Sequence, residues 1–294
     1  MAIKLYTKQY AGMLPTLFEK KAKFLRAFGG NLQVKDGISQ KDTFLELKTS
    51  DTDVVIQEYS TDENVGFGTG TGNTSRFGER KEVKSVDTTV PYDAPLAINE
   101  GIDDFTVNDI PSQVVAERLA LHGVAWAQHV DDFLGKVLSD NASEALTGDL
   151  TEEGVTKAFA DAHKIFVNNG VSENVAHVAY VNADVFDFLV DNKLATTAKN
   201  SSANIDEQSL YKFKGFVLEE LPDVKFQDDE NIIFSADNVG VVGIGIQVAR
   251  AMDSEDFAGT ALQAAAKYGK FVPENNKKAI LKSTLTVPAE VPAG

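Results

Sequence analysis

The chain contains no cysteine. That excludes disulfides, thiolate zinc sites and a cysteine nucleophile, and it fits a reducing compartment. There is no apolar run of the roughly 18 residues a membrane-spanning helix needs, so no membrane segment is expected. The opening MAIKLYTKQY lacks the apolar stretch of a secretory signal. Basic residues are in short supply: 28 Lys and Arg stand against 44 Asp and Glu, a net charge of −16. The deficit is uneven. Residues 1–50 hold nine basic and four acidic side chains, a net of +5, which leaves −21 for the remainder. So acidic a body repels phosphate backbones and argues against sequence-specific DNA recognition. The basic arm suits an acidic neighbouring subunit or a polyanion, and a solvated tail with a charge bias fits it equally well.

Signatures of chemistry are missing too. Gly66, Gly68, Gly70 and Gly72 suggest a phosphate cradle, the basis of an alternative reading as a nucleotide-binding enzyme. A dinucleotide fingerprint needs a glycine at its sixth position, and counting from Gly66 or Gly68 that position falls on Thr71 or Asn73. A P-loop needs Gly-Lys-Ser/Thr opening a helix, whereas this loop runs into Asn73-Thr74-Ser75-Arg76 and strand-like sequence. The glycines read better as a flexible hairpin tip. Of the four histidines, His122 and His129 share a helix face, but Asp131 and Asp132 complete no metal-ligand pattern with them; His163 and His177 stand apart, and there is no HExxH. No serine sits in G-x-S-x-G. The acidic clusters Asp228-Asp229-Glu230 and Asp253-Ser254-Glu255-Asp256 miss the spacing of a calcium loop and read as solvated turns. No catalytic, cofactor-binding or metal-binding residue is assigned.

What is present is 294 residues with 43% hydrophobic side chains, enough for a sizeable core in one large or two modest domains. The organising element is a long helix over residues 111–139, about 43 Å at 1.5 Å per residue. Asp109 is placed to cap it and Pro111 suits its first turn. Val115, Leu119, Trp126, Val130, Phe133, Leu134, Val137 and Leu138 recur near helical period. Residues 93–110 read as the link into it, and Asp103 and Asp104 there precede the helix and suit its positive end.

Ahead of this spine, residues 14–28 predict a short amphipathic helix stopped by Gly29 and Gly30, and residues 41–49 a strand. Residues 50–92 predict a long two-stranded excursion, from a β-branched run at 53–59 through five glycines between Gly66 and Gly78 to a return side with Val83, Val86 and Val90. Such a hairpin is marginal alone and needs a surface to lie on. After the spine, residues 141–150 read as a polar connector. Thr151 caps a helix with a Leu150–Val155 staple, and Gly170 ends it. Residues 175–181 predict a buried strand, 183–193 a helix capped by Asn182, 196–209 a polar mobile stretch, and 211–218 a strand broken by Pro222. Strands follow at 232–235, 239–249 and 279–287. Residues 261–267 (ALQAAAK) favour helix by alanine content, but Tyr268, Gly269, Phe271 and Val272 extend them into a strand, which is the reading adopted. The closing VPAEVPAG frays.

This order of parts resembles the major capsid protein of tailed bacteriophages, the Hong Kong 97-type capsid fold. The resemblance is carried by NVGFGTGTGNTSRFG with its exit into GIDDFTVNDIP, by the spine, by HVAYVNADVFDFL, by IIFSADNVGVVGIGIQVAR and by FAGTALQAAAKYGKFVPENNKKAIL. It implies an α+β fold divided into an N-terminal arm (1–49), an extended loop (50–92), a peripheral domain (93–141 with 237–287), an axial domain (142–236) and a C-terminal tail (288–294). It implies a non-enzymatic structural protein that assembles with itself, as pentamers and hexamers, into an icosahedral shell around double-stranded DNA. The location implied is the virion capsid, assembled in the bacterial host's cytoplasm. Portal and decoration proteins are possible partners. The short arm implies a separate scaffolding protein or none. Lys81 and Lys84 lie on the return side of the loop, with nothing to mark either as a cross-linking lysine. An encapsulin-type compartment shell, which shares this fold, is the nearest alternative.

Overall fold

The computed structural model describes residues 3–5, 14, 22–39, 41–49, 54–63, 65–66, 75–83, 85–106, 111–191, 196–197, 211–227 and 229–288. They form two compact units: residues 43–91, and the rest of the chain.

The larger unit is built on two sheets and the spine, a mixed α+β architecture. The first sheet centres on a hairpin of two 13-residue strands, β12 (Val241–Asp253) and β13 (Gly259–Phe271). β5 (Leu96–Asp103), in a stretch expected to be only a link, pairs antiparallel with β13, while β1 (Ile3–Leu5) and β2 (Gln33–Asp36) both pair with β12. The alanine-rich stretch 261–267 is therefore strand, as its flanks predict. Its Ala264 and Ala266 are buried, and its small side chains fit the face packed beneath the spine.

The spine, α1 (Pro111–Asp140), spans 30 residues. Trp126, Val130, Leu134, Val137 and Leu138 are buried along it, and Trp126 meets Tyr268 of β13 edge-on with ring centroids 5.8 Å apart. The proposed cap, Asp109, lies outside the described residues. Asp103 instead closes the turn before it, accepting from the Phe105 N–H at 2.9 Å.

The second sheet has seven strands in the order β6-β14-β11-β7-β10-β9-β8. β7 (His177–Asn182) and β11 (Ile232–Ala236) lie at its middle, each almost wholly buried. β14 (Ile280–Thr286), from the chain's end, pairs antiparallel with β11 and parallel with β6 (Glu144–Asp149). The stretch expected to be a polar connector is thus an edge strand. Its residues are mostly exposed, so no apolar alternation announces it. The expected single strand at 211–218 is two, β9 (Tyr211–Phe213) and β10 (Phe216–Leu221). Lys214 and Gly215, both at positive φ, turn the chain between them. β8 (Thr196–Thr197) completes the edge. The rest of the 196–209 stretch lies outside the described residues.

Two helices accompany this sheet. α2 (Glu152–Asn168) opens as its sequence predicts, with Thr151 Oγ1 accepting from Gly154 N–H at 3.1 Å. Val155, Phe159, Ala162 and Phe166 face the core, where Phe159 meets Phe213, Phe216 and Phe234 with centroids 4.9 to 5.9 Å apart. α3 (Ala183–Asp191) is capped by Asn182 Oδ1, which accepts from Val185 N–H at 3.0 Å. α4 (Glu274–Lys277) is one turn between β13 and β14. Ahead of them all, of the helix expected at 14–28, Leu14 is helical, residues 15–21 lie outside the described residues, and the end of the stretch, Phe24–Phe28, is a 3-10 turn. Gly29 ends that turn at φ +87, as the paired glycines predict.

The smaller unit is an antiparallel ribbon. β3 (Thr43–Thr49) pairs with β4 (Val86–Pro91) from Thr49↔Val86 to Thr43↔Pro91.

Candidate assembly surfaces

The ribbon continues beyond its ladder. Gln57 and Glu79 exchange hydrogen bonds, with Gln57 Nε2 donating to Glu79 O at 2.9 Å and Glu79 N–H donating to Gln57 Oε1 at 3.1 Å. Ser60 N–H donates to Arg76 O at 2.9 Å. Arg76 then holds the bend, donating to Val65 O at 2.8 Å and Asp62 O at 3.1 Å. Tyr59 and Phe77 meet edge-on across the two runs at 5.2 Å. Two paired runs offer each other backbone partners but no second layer, so the β-branched side chains stay in solvent: Val54 is 95% exposed and Ile56 96%. Phe77 and Val83 are exposed as well. Full burial of a Val or Ile side chain is worth about 1.5–3 kcal/mol, so the run is costly in water. Gly66 turns the chain at φ +82. Gly68, Gly70 and Gly72 lie outside the described residues, as does Lys84, while Lys81 is exposed. The flanks of the glycine segment are runs of this ribbon, not the strand and helix that a phosphate loop joins.

Among the described residues of the larger unit, three charge clusters that the linear sequence does not announce involve the spine. In the first, Glu100 on β5 accepts from Arg118 on the spine, at Oε2 from Nε at 2.9 Å and at Oε1 from Nη2, while His122 Nε2 lies 2.9 Å from the same Oε2. The hydrogen bond from Arg118 is the main cause holding the Glu100 carboxyl below its ordinary range, with burial opposing. His122 is buried there, whereas His129 is exposed beside Tyr268, so the shared face does not make a shared site. In the second, Asp131, 1% exposed, accepts from Phe24 N–H at 2.9 Å and pairs with Lys225 Nζ at 3.0 Å. Lys225 also pairs with Asp132. Burial pushes the Asp131 carboxyl up, against the lowering by these partners. At Lys225 burial pulls the ammonium down, but its contacts with Asp132 and Asp131 outweigh this and leave it raised. In the third, Ser139 donates to Glu230 Oε1 at 2.5 Å and Lys282 donates to the same oxygen at 2.7 Å. Glu230, expected in a solvated turn, is therefore a buried anchor between α1 and β14.

These clusters fasten elements together. Ser139, held by both Glu230 and Lys282, is buried. His177 sits between Phe166 and Phe216 with its pKa lowered by burial, and His163 is exposed. A depression of about 320 Å³ beside the start of α2 is lined by Asp149, Thr151, Glu153, Lys157 and Asp161, carboxylates and a lysine without a nucleophile–base pair. Among the described residues no group of three or more His, Asp or Glu is placed to hold a metal ion. The turn with Asp253, Glu255 and Asp256 is open to solvent at the end of the β12–β13 hairpin.

No protein-family model and no curated protein sequence matches the chain. Solved structures do match. A chain of the mature capsid of bacteriophage PhiM1 aligns at a TM-score of 0.60 and 12% identity, covering 92% of this chain and 88% of that one. A chain from the capsid of Ralstonia phage GP4 gives 0.60 at 11% identity, with 93% of each chain covered. A chain from the capsid of cyanophage P-SCSP1u gives 0.57 at 13% identity, with 87% of each covered.

Proposed function

We propose, from the premise that this chain has the Hong Kong 97-type capsid fold, that it is the subunit of a tailed-phage head shell. It assembles with itself, as pentamers and hexamers, around packaged double-stranded DNA, and its work is structural, not catalytic. The fold supports this reading through capsid neighbours that span nearly the whole chain. The observation that carries it is the ribbon, whose two runs leave the β-branched side chains of Val54 and Ile56 exposed. A surface of this kind is stabilised when another copy covers it, and repetition around an axis closes such contacts into a shell. The acidic charge suits the wall of a container that must not adhere to its DNA.

In this reading residues 1–49 are the arm, 50–92 the extended loop, 93–141 with 237–287 the peripheral domain, 142–236 the axial domain and 288–294 the tail. β14 lends residues 280–286 to the axial sheet. The shell belongs to the virion and is assembled in the bacterial host's cytoplasm, with scaffolding, portal and decoration proteins as candidate partners. Among the described residues nothing favours the encapsulin-type alternative over this reading.

Negative-stain microscopy of the purified protein tests the reading, with closed shells of uniform size as the expected result. Deleting residues 60–80 should leave a folded subunit, by circular dichroism, that no longer closes shells. A parent protein that stays a compact monomer under all assembly conditions would overturn the proposal. So would a deletion variant that assembles like the parent.

A further inference from the structure

The chain passes between the two sheets of the larger unit three times: through the spine from β5 to β6, through residues 272–279 with α4 from β13 to β14, and by the shortest link, residues 237–240, from β11 to β12. Asn238 stands there at φ +63, and a Cβ at Gly240 would meet Phe271 O at 2.6 Å. A four-residue link with one left-handed residue and one glycine is a natural hinge. It is not left free, because residues 26–29 lie along it. Arg26 Nε donates to Asp237 Oδ1 at 3.1 Å. Val239 N–H donates to Ala27 O at 2.8 Å. Phe28 packs where a Gly240 Cβ would come within 3.1 Å, and Gly29 faces Asn238 Oδ1.

The same segment is fastened at both ends, to different sheets. On the second-sheet side Phe24 packs on Tyr180 of β7 with centroids 4.7 Å apart, and Arg26 Nη1 reaches Glu219 of β10 at 3.4 Å. On the first-sheet side residues 33–36, as β2, pair with Gly243–Ile246 of β12, and Ile38 lies over Gly245 so closely that a Cβ there would meet it at 2.4 Å. Asp131 holds the Phe24 N–H to the spine between them.

We propose that residues 24–38 are a splint across this hinge, and that Arg26, bridging Glu219 and Asp237, is its clasp. The splint fixes the angle between the two sheets in the free subunit. A consequence that rests on the shell reading is that the splint also narrows the range of curvature the assembled subunits adopt.

The absence of cysteine makes the test direct. Cysteines placed at Lys214, in the β9–β10 turn, and at Asp256, at the β12–β13 tip, give one spin-label pair spanning the two sheets. Pulsed dipolar spectroscopy on the unassembled subunit should return a narrow distance distribution in the parent. Arg26→Ala should broaden it about twofold, as expected when a hinge recovers its φ/ψ freedom. Asp237→Ala, which removes the acceptor of Arg26 Nε, should do the same and serves if Arg26→Ala does not fold. Lys277→Gln, which breaks a surface pair with Glu274, should leave it unchanged. Distributions as narrow in both clasp variants as in the parent would overturn the splint. Because the subunit is measured unassembled, a failure of the parent to form shells would refute the shell reading without touching this one.

Discussion

Replacing Asp131 by alanine removes the most buried charge of the spine, and the structure sets the cost. The carboxylate accepts the Phe24 N–H at 2.9 Å and faces the Lys225 ammonium at 3.0 Å. Without it the Phe24 N–H is left in a buried site with no acceptor, a loss of about 1–3 kcal/mol. Lys225 keeps Asp132, so it is not stranded, and the forfeited ion pair adds about 1 kcal/mol. The total, about 2–4 kcal/mol, overlaps the range for breaking a buried pair, about 3–5 kcal/mol. For a unit of this size that is a fall in Tm of about 4–16 °C. Asp131→Asn retains an oxygen for the Phe24 N–H and should cost about 1 kcal/mol. Urea denaturation of the unassembled subunit, followed through the buried Trp126, measures both. Asp131→Ala within about 0.5 kcal/mol of the parent, the scatter of neutral surface changes, would refute the reasoning.

The pH dependence sharpens the test. Burial raises the Asp131 carboxyl in the folded state. A raised folded value means that its contribution is full below the unfolded value, about 3.9, and declines as pH rises through the folded one. The penalty of Asp131→Asn should therefore be larger near pH 4 than at pH 7, with pH 4 taken as roughly the unfolded value. A simple salt bridge would show the opposite trend.

Three further outcomes follow from the geometry. Phe159→Ala, which empties the centre of four packed aromatic rings, should cost about 3–5 kcal/mol in the same denaturation experiment. Gly245→Ala places a Cβ 2.4 Å from Ile38 and should destabilise by about 1–3 kcal/mol, with faster amide exchange across residues 33–38. Glu100 is held below its ordinary value chiefly by Arg118, so its contribution is present above the unfolded value, about 4.3, and is lost as pH falls through the folded one. The gap in Tm between the parent and Glu100→Gln should then close on acidification, and a gap constant down to about pH 3 would contradict the assignment.

Much of the fold was readable because its signals are local. The spine declares itself over 30 residues of helical period, and the start of α2 through Thr151 and its staple. The Phe159 face and the buried strand β7 are runs whose burial follows from composition alone. The elements misread depend on distant partners. β6 is a strand because β14, more than 130 residues later, offers it an edge. The end of the 14–28 stretch is a 3-10 turn, Phe24–Phe28, shaped by Asp131, Tyr180 and Asp237, none of which is near in sequence. Glu230 looked like one member of an acidic turn and is instead buried against Ser139 and Lys282. No periodicity marks such a residue, since its environment is made by three separate segments.

By itself the sequence determined the elements whose stability lies within one segment: the spine, the capped helices, the buried strands, and an excursion too thin to cover its own Val54 and Ile56. It determined the charge balance as well, since that is only a count. Tertiary structure alone decided which strands share a sheet, where buried charges find partners, and that a basic N-terminal segment lies along a crossover some 210 residues away, roughly the separation of Arg26 from Asp237. Those outcomes turn on the closure of long loops and on the desolvation of particular pairs. Both are properties of distances in space that no local pattern of residues encodes.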